Sequence, residues 1–277
     1  MKKGSAAQAL TALPPIAGPE LLRRLQQSLP AHCIIDQRES LRPFECDGLT
    51  IYKELPLLAV LPETAEQVQQ VLEICHQLSV PVVARGSGTG LCAGAMPHPE
   101  GVLLVLSKLD RILDIDPLAR TARVECGVSN LSISAAAAQF GLYYGPDPSS
   151  QIACSIGGNV AENSGGVHCL KYGLTVHNVL GVELLTVSGE RVTIGSQGLD
   201  SPGYDLLALL IGSEGLLGVV VEVTVRLLPS PELAQVVMAG FDSVRAAGDA
   251  VGAVIAAGII PAGLEMMDAL AIQAAED

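Results

Sequence analysis

The spacing of apolar positions in the first third of the chain predicts a βαβ unit. Residues 57–61 form a short apolar run, and over residues 65–78 apolar positions recur every three or four residues, as on one face of a helix. Thr64 and Gln67 stand at capping-box spacing and predict where this helix begins. Residues 80–84 are again apolar, so we expect a right-handed crossover between two strands. A separate helix is predicted over residues 19–29, ahead of irregular chain as far as residue 53.

The later chain alternates between strand and helix patterns, and Gly141 stands where a helix would end. Up to residue 228 we predict a strand over 102–106, a hairpin of 111–116 with 121–125, a helix over 129–140, a hairpin of 178–187 with 191–194, a helix over 204–210 and a strand over 219–228. After Pro229-Ser230-Pro231 the prediction is a strand over 235–241, a helix from Asp242 to residue 257, a strand over 261–267 and a helix from Asp268.

These elements suggest an α+β protein in three parts. Residues 1–53 are interpreted as an N-terminal helix and a covering segment, 54–231 as the main domain, and 232–277 as the opening of another domain. The last part is too short to enclose a core of its own. The sequence is therefore interpreted as a fragment of a longer protein.

The segment 81–90, PVVARGSGTG, ends a predicted strand with alternating glycines. Glycine permits positive φ and lets a ligand approach backbone N–H groups, and a row of such groups suits a phosphate or pyrophosphate. No Gly-Lys-Ser/Thr follows, which argues against a Walker A loop. Residues 88–93 match a Rossmann G-x-G-x-x-A, but Gly94, Pro97 and Pro99 interrupt the helix that this fingerprint needs. A plain glycine-rich turn remains the alternative for this loop alone.

Two further glycine-rich segments follow. Residues 143–173 are rich in small and amide side chains and have no period, which is typical of a functional loop. Residues 212–218, GSEGLLG, form a third glycine-rich corner before the strand over 219–228. Together the three segments predict a site for a nucleotide-like cofactor.

Composition narrows the possible partners. Of 277 residues 49% are hydrophobic and the net charge is −13, so the chain is globular and neither nucleic acid nor an anionic membrane is expected to bind it. The seven cysteines are scattered without a metal-type spacing and the five histidines form no ligand pair on one helix, so no metal site is predicted. Scattered thiols favour a reducing, cytoplasmic location. No apolar run has transmembrane length, and residues 1–13 imitate a signal peptide only weakly.

Three stretches carry a resemblance to a known family: VVARGSGTGLCAGAMP, YYGPDPSSQIACSIGGNVAENSGGVHCLKYGLTVHN, and GSEGLLG before VVVEVTVRL. From about residue 40 onward the sequence resembles the FAD-binding domain of vanillyl-alcohol-oxidase-type flavoproteins, the PCMH-type domain. Within that family it is most similar to FAD-binding subunits of bacterial glycolate oxidase and to D-lactate dehydrogenases. The resemblance implies an α+β fold of two subdomains with FAD between them, followed by the start of a ferredoxin-like C-terminal domain over 232–277.

The resemblance also implies roles for individual residues. The pyrophosphate would be wrapped by Arg85, Gly86, Ser87, Gly88, Thr89, Gly90, Gly94 and Ala95. The isoalloxazine and ribityl would be lined by Asp147, Pro148, Ser149, Cys154, Gly157, Gly158, Asn159 and Asn163, and the adenine end would meet Gly218, Val219 and Val220. Many members tether the flavin to a histidine at the position of Thr89, so a threonine there predicts non-covalent FAD.

The activity implied is oxidation of a small 2-hydroxy acid, glycolate or D-lactate, by hydride transfer to the flavin. His168 and Lys171 are the catalytic candidates within the chain, against the alternative that both are structural; the family's main catalytic residues would follow Asp277. A second flavin subunit and an iron–sulfur subunit are implied as partners, with membrane association only through them. Two rivals stay open: a nucleotide-sugar reductase of the same fold, and a non-catalytic FAD-binding subunit.

Overall fold

A computed structural model describes residues 18–196, 198 and 203–276 of this protein. The signal-like residues 1–13 and the start of the predicted N-terminal part lie outside the described residues. The described chain is an α+β structure, as predicted, and it has two main sheets. In this part of the chain no helix is both long and apolar enough to cross a bilayer.

The first sheet has four strands in the order β1-β2-β4-β3. Its strands are β1 (Ile34–Ile35), β2 (Leu58–Val60), β3 (Val82–Arg85) and β4 (Val102–Val105). Two helices cover it, α1 (Gly18–Ser28) and α3 (Ala65–Leu78), with the short α2 (Arg38–Leu41) between β1 and β2. Leu21 and Leu25 of α1 and Val68, Val71 and Leu72 of α3 are buried in one aliphatic core beneath the sheet.

The βαβ prediction is correct in its elements, but the two strands are not neighbours. β2 and β3 both pair with β4 in parallel register, and β4 lies between them. The Thr64 hydroxyl accepts from the Gln67 N–H as the capping box requires, whereas the Gln67 side chain accepts from the Glu63 N–H at 2.7 Å. The reciprocal bond therefore fixes the residue before the cap and ties the β2–α3 turn to the helix.

The second sheet is antiparallel, with five strands in the order β5-β6-β10-β8-β9. They are β5 (Ile112–Asp116), β6 (Thr121–Glu125), β8 (Val179–Leu185), β9 (Arg191–Gly195) and β10 (Val219–Arg226), so both predicted hairpins are present. A small third sheet pairs β7 (Leu142–Tyr143) with β11 (Leu228–Pro229). Val221 and Leu185 of this second sheet are buried in the core of the first one, which joins the two units.

Helices fill the space on one side of the second sheet. They are α4 (Asn130–Ala137), continued by a 3-10 turn that Gly141 ends at φ 67°, then α5 (Ile156–Glu162), α6 (Cys169–Tyr172), α7 (Thr175–Asn178) and α8 (Leu206–Leu210). Ile133, Ala137, Ile156 and Val160 are buried against Val223 and its neighbours on the sheet. Small residues on α4 and α5 let these helices lie close to the strands.

The C-terminal part differs from its prediction. Residues 235–241 and 261–267 are not strands, and the structure there has only α9 (Val244–Ala256), capped by Ser243 instead of Asp242, and α10 (Ala269–Glu276). Val236, Val237 and Met238 are 90% exposed or more. An apolar, β-branched run becomes a strand only when a neighbouring strand accepts its hydrogen bonds, and among the described residues none lies beside it.

Candidate functional site

A cleft of about 370 Å³ lies between the two sheet units and is lined by all three glycine-rich segments. The carboxyl end of β3 leads into the cleft, the first turn of α5 faces it, and the corner before β10 closes it. Most of the predicted cofactor residues line it: Arg85, Gly86, Ser87, Gly88, Thr89, Gly90, Gly94, Ala95, Ser149, Cys154, Gly157, Gly158, Asn159, Gly218, Val219 and Val220.

Arg85 is the charged residue at the start of the glycine loop. It is 8% exposed, and its Nη1 donates to the Cys46 carbonyl oxygen at 2.8 Å. Burial lowers the pKa of the guanidinium, while the neighbouring Cys46 and Asp47 act in the opposite direction. Gly88 has φ 70°, and a Cβ there would overlap the guanidinium group. The absence of a side chain at Gly88 therefore leaves the space that Arg85 occupies.

Asp47 holds the far side of the glycine loop, and sequence analysis missed it. The side chain is 5% exposed; one carboxylate oxygen accepts from the Leu49 N–H and the other from the Ala93 N–H, each at 2.9 Å. Gly48 lies so close to the loop that a Cβ would be 2.9 Å from the Thr89 carbonyl oxygen. The covering segment is thus part of the cleft wall, bonded to the glycine loop through a buried carboxylate.

The glycine loop also packs directly on α5. A Cβ at Gly86 would overlap the hydroxyl of Ser155, which caps α5 by accepting from the Gly158 N–H at 3.3 Å. On the other side, a Cβ at Gly157 would be 2.7 Å from the Cβ of Cys126. These glycines are required by close backbone approach. The Gly157 and Gly158 N–H groups are bonded within the protein, so an anion in the concave space would meet the N–H groups of the glycine loop.

Two carboxylates, Glu162 and Glu214, stand at the edge of the cleft. A Cβ at Gly94 would lie 3.4 Å from a Glu162 oxygen and 3.2 Å from a Glu214 oxygen. Their proximity, chiefly that of Glu162, raises the pKa of the exposed Cys92 thiol. This thiol is consequently held in its neutral, less nucleophilic form.

Buried amide side chains fix the loop over residues 144–178, which follows α4 and its 3-10 turn. Asn159 Nδ2 donates to Asn130 Oδ1 at 2.9 Å, and Asn130 Nδ2 donates to the Pro146 carbonyl oxygen at 2.8 Å. Asn178 Nδ2 donates to the carbonyl oxygens of Tyr172 and Leu174. Because buried amides are costly to leave unpaired, this network specifies one path for residues 144–178.

Asp147, Pro148 and Asn163 do not line the cleft, unlike the other predicted cofactor residues. The Asn163 side chain is engaged elsewhere, since its Oδ1 accepts from the Val176 N–H at 3.0 Å. Asp147 faces His168, whose Nδ1 lies within hydrogen-bond distance of the Asp147 carboxylate. The Asp147 and Asn163 side chains therefore form bonds within the loop instead of lining the cleft.

The two catalytic candidates also lie outside the cleft lining. His168 is paired with Asp147, and its ring lies 6.3 Å from that of Tyr172. Lys171 Nζ lies 5.3 Å from the centre of the Tyr172 ring, and Tyr172 meets Tyr143 edge-on. These five side chains form one polar and aromatic cluster outside the cleft lining.

The cleft fits a dinucleotide on the evidence of its own groups. The glycine loop and α5 line a concavity from which side chains are absent at Gly86, Gly88, Gly157 and Gly158, and Arg85 supplies a buried positive charge. Such an arrangement matches a pyrophosphate. Asp47, Ser155, Glu162 and Glu214 are among the lining residues that sequence analysis did not identify. For Ser155, the signal was its place two residues before the predicted glycine pair Gly157-Gly158.

Comparison with known proteins agrees with this geometry. The family described as "FAD binding domain" matches residues 56–195, and that described as "FAD linked oxidases, C-terminal domain" matches residues 230–277. The fold is similar to that of alkyldihydroxyacetonephosphate synthase, with a TM-score of 0.75 at 21% identity over 88% of this chain and 50% of that one.

Among curated relatives, the chain is 60% identical to "Glycolate oxidase subunit GlcD" of Escherichia coli strain K12 over 96% of this chain and 53% of that protein. It is 40% identical to the Bacillus subtilis strain 168 protein of the same name over 84% of this chain and 50% of that protein. It is 34% identical to "D-lactate dehydrogenase" of Anaerostipes hadrus over 77% of this chain and 45% of that protein. The chain thus spans about half the length of the relatives it matches.

The matched family and the glycine-built cleft lead to the same assignment and confirm the predicted FAD-binding fold. This chain belongs to the FAD binding domain family of FAD-linked oxidases.

Proposed function

We propose that the chain binds FAD non-covalently in the cleft and that the whole protein oxidises a small 2-hydroxy acid, glycolate first and D-lactate as the alternative. The observation that carries this proposal is 60% identity, over 96% of the chain, to a protein named as a glycolate oxidase subunit. A relative named D-lactate dehydrogenase supports the same class of substrate. When bound, FAD would supply the acceptor for the hydride that leaves the substrate carbon.

The chain's own residues would hold the cofactor rather than carry out the proton chemistry. N–H groups of residues 86–90 and the Arg85 guanidinium would bind the pyrophosphate, and Gly218, Val219 and Val220 would meet the adenine end. Asp147, Pro148, Ser149, Cys154, Gly157, Gly158, Asn159 and Asn163 remain our proposal for the isoalloxazine and ribityl. Non-covalent binding is supported by Thr89, since a hydroxyl cannot form the histidyl link.

His168 and Lys171 remain candidates for contact with substrate. In support, His168 is half-exposed and its ring is oriented by Asp147, the arrangement that keeps an imidazole in one tautomer. Against a direct role, neither residue lines the cleft. We therefore propose that the carboxylate clamp and the base come mostly from outside these 277 residues.

The test uses the protein purified from cells that make it, together with whatever copurifies. Under anaerobic conditions excess glycolate or D-lactate should bleach the visible flavin band. Bleaching by NADPH and not by hydroxy acids would favour the nucleotide-sugar reductase. A stoichiometric flavin that neither reductant bleaches would favour the non-catalytic subunit.

We further propose that the protein works with other subunits, a second flavin subunit and an iron–sulfur subunit, in the cytoplasm. The word "subunit" in the names of two relatives supports the assembly. All seven cysteines are free thiols, which supports a reducing compartment. Copurified subunits carrying flavin and iron would support the assembly; a chain that purifies alone with full hydroxy-acid oxidation would refute it.

A further inference from the structure

Three side chains with metal-binding atoms meet at the β1 edge of the first sheet, and none of them lines the cleft. They are His32 and Cys33, which precede β1, and Glu63, which precedes α3. His32 Nε2 lies 3.1 Å from Glu63 Oε1, and the nitrogen, the sulfur and a carboxylate oxygen all lie within 4.8 Å of one another. Within the described part of the chain this is the one such group.

The backbone holds these residues together independently of their side chains. Ile34 pairs with Val60 in the β1–β2 ladder, and the Leu61 N–H donates to the Cys33 carbonyl oxygen at 2.8 Å. On the other side, Gln67 fixes Glu63 by accepting from its N–H. A ligand entering here would therefore meet groups that are already positioned, which lowers the entropy lost on binding.

The distances suit a zinc-type ion. Three points within 4.8 Å of one another all lie within about 2.8 Å of a common centre, and Zn²⁺ binds sulfur at about 2.3 Å and imidazole nitrogen at about 2.0 Å. Side-chain shifts of about half an ångström would thus complete a three-ligand set, with water in the fourth position. A thiolate and a carboxylate would neutralise the dication, and a protein of net charge −13 attracts cations.

We propose that His32, Cys33 and Glu63 form a binding site for Zn²⁺ or a similar thiophilic divalent cation. The site departs from the absence of a metal site expected from the sequence, because its ligands come from two elements about thirty residues apart. The bound ion would join β1 to the N-terminus of α3 and so fix the covering segment that continues to Asp47. The ion would approach from outside, where the side chains of His32 and Glu63 are 66% and 46% exposed while Cys33 is fully buried.

The competing explanation is that His32 and Glu63 form an ordinary surface ion pair and Cys33 is a core residue. Surface pairs contribute about 0–1 kcal/mol and require no ion. The two explanations differ in one measurable quantity, the affinity of the folded protein for a thiophilic cation.

The experiment is a titration of the purified protein with Cd²⁺, monitored by the ultraviolet charge-transfer band of a cadmium–thiolate bond. Zn²⁺ is then added to displace the bound Cd²⁺. We expect one Cd²⁺ per chain. His32→Ala and Glu63→Gln change exposed side chains and should each weaken binding at least tenfold. Cys33→Ser should remove the band.

Two controls separate this site from chance binding. His76→Ala removes another exposed histidine, from α3, and Cys92→Ser removes the exposed thiol of the cleft; both should bind Cd²⁺ like the parent. If His32→Ala and Glu63→Gln bind like the parent, or if the band follows Cys92, the protein holds an adventitious ion only and the proposal is wrong. Circular dichroism of each variant would verify that the fold is retained.

Discussion

Gly88 and Gly141 offer a matched pair of substitutions that tests the role of the glycine loop. Both have nearly the same positive φ, 70° and 67°, so alanine should introduce the same backbone strain of about 1–2 kcal/mol at each. A Cβ at Gly141 meets nothing within 4 Å, whereas at Gly88 it overlaps the Arg85 guanidinium. The difference between the two variants therefore measures what the space at Gly88 does for Arg85.

The structure sets the expected magnitude. Displacing Arg85 would break its hydrogen bond to the Cys46 carbonyl oxygen, and a bond from a charged donor is worth about 1.5–3 kcal/mol. We expect Gly141→Ala to lower the free energy of unfolding by about 1 kcal/mol and leave FAD affinity unchanged. Gly88→Ala should lower unfolding free energy by about 3 kcal/mol and weaken FAD binding at least tenfold, which corresponds to about 1.4 kcal/mol.

The assays are urea unfolding of the apoprotein and titration of the apoprotein with FAD, followed by quenching of flavin fluorescence. Measuring both separates loss of fold from loss of the site. Equal FAD dissociation constants for Gly88→Ala and Gly141→Ala would show that the Arg85 loop does not hold the cofactor. A Gly88→Ala variant that fails to fold would be replaced by Arg85→Lys, which keeps the charge but not the planar donor geometry.

Further predictions concern Asp47, Thr89 and His168. Asp47→Asn should weaken FAD binding about tenfold, because the amide oxygen can accept only one of the two N–H bonds that fix Leu49 and Ala93. The control Asp36→Asn should leave FAD binding unchanged, and equal affinities of the two variants in an FAD titration would contradict the prediction. With Thr89 at the tether position, acid precipitation should release the flavin into the supernatant, and colour on the pellet would mean a covalent link. His168→Ala should reduce flavin bleaching by glycolate in the whole protein but leave FAD affinity within twofold; an unchanged bleaching rate would make His168 structural.

Many elements up to β10 could be predicted from sequence because their signals are local. Exceptions include β1 and α2, in residues expected to be irregular, and α5 and α6, in the stretch interpreted as a loop without a period. Apolar periodicity set the bounds of α3, Gly141 marked the end of the α4 segment, and period-two alternation identified both hairpins. The strands expected over 235–241 and 261–267 are wrong. A strand forms only when a second strand pairs with it, and the apolar pattern of one segment does not show whether such a partner exists.

The cleft could be predicted where two backbone segments approach so closely that only glycine fits, because those glycines are visible in the sequence. Gly86, Gly88 and Gly157 are needed where a Cβ would overlap a neighbour. The glycine-rich sequence therefore predicted the position of the loop. Asp47 carries no such mark: its role rests on an N–H group 46 residues away, and its surroundings have no period.

His32, Cys33 and Glu63 extend the same argument to the β1 edge of the first sheet. The parallel pairing of β2 and β3 with β4 orders the segments that precede α3, and β1 then joins the edge of this sheet through Ile34. One short strand pairing therefore brings His32 and Cys33 to Glu63, and the segment that follows it carries Asp47 to the glycine loop. A cation bound by His32, Cys33 and Glu63 would restrain the segment that leads to Asp47 and the glycine loop. FAD affinity measured with and without Zn²⁺ would reveal this coupling, and an identical affinity would show that the two ends are independent.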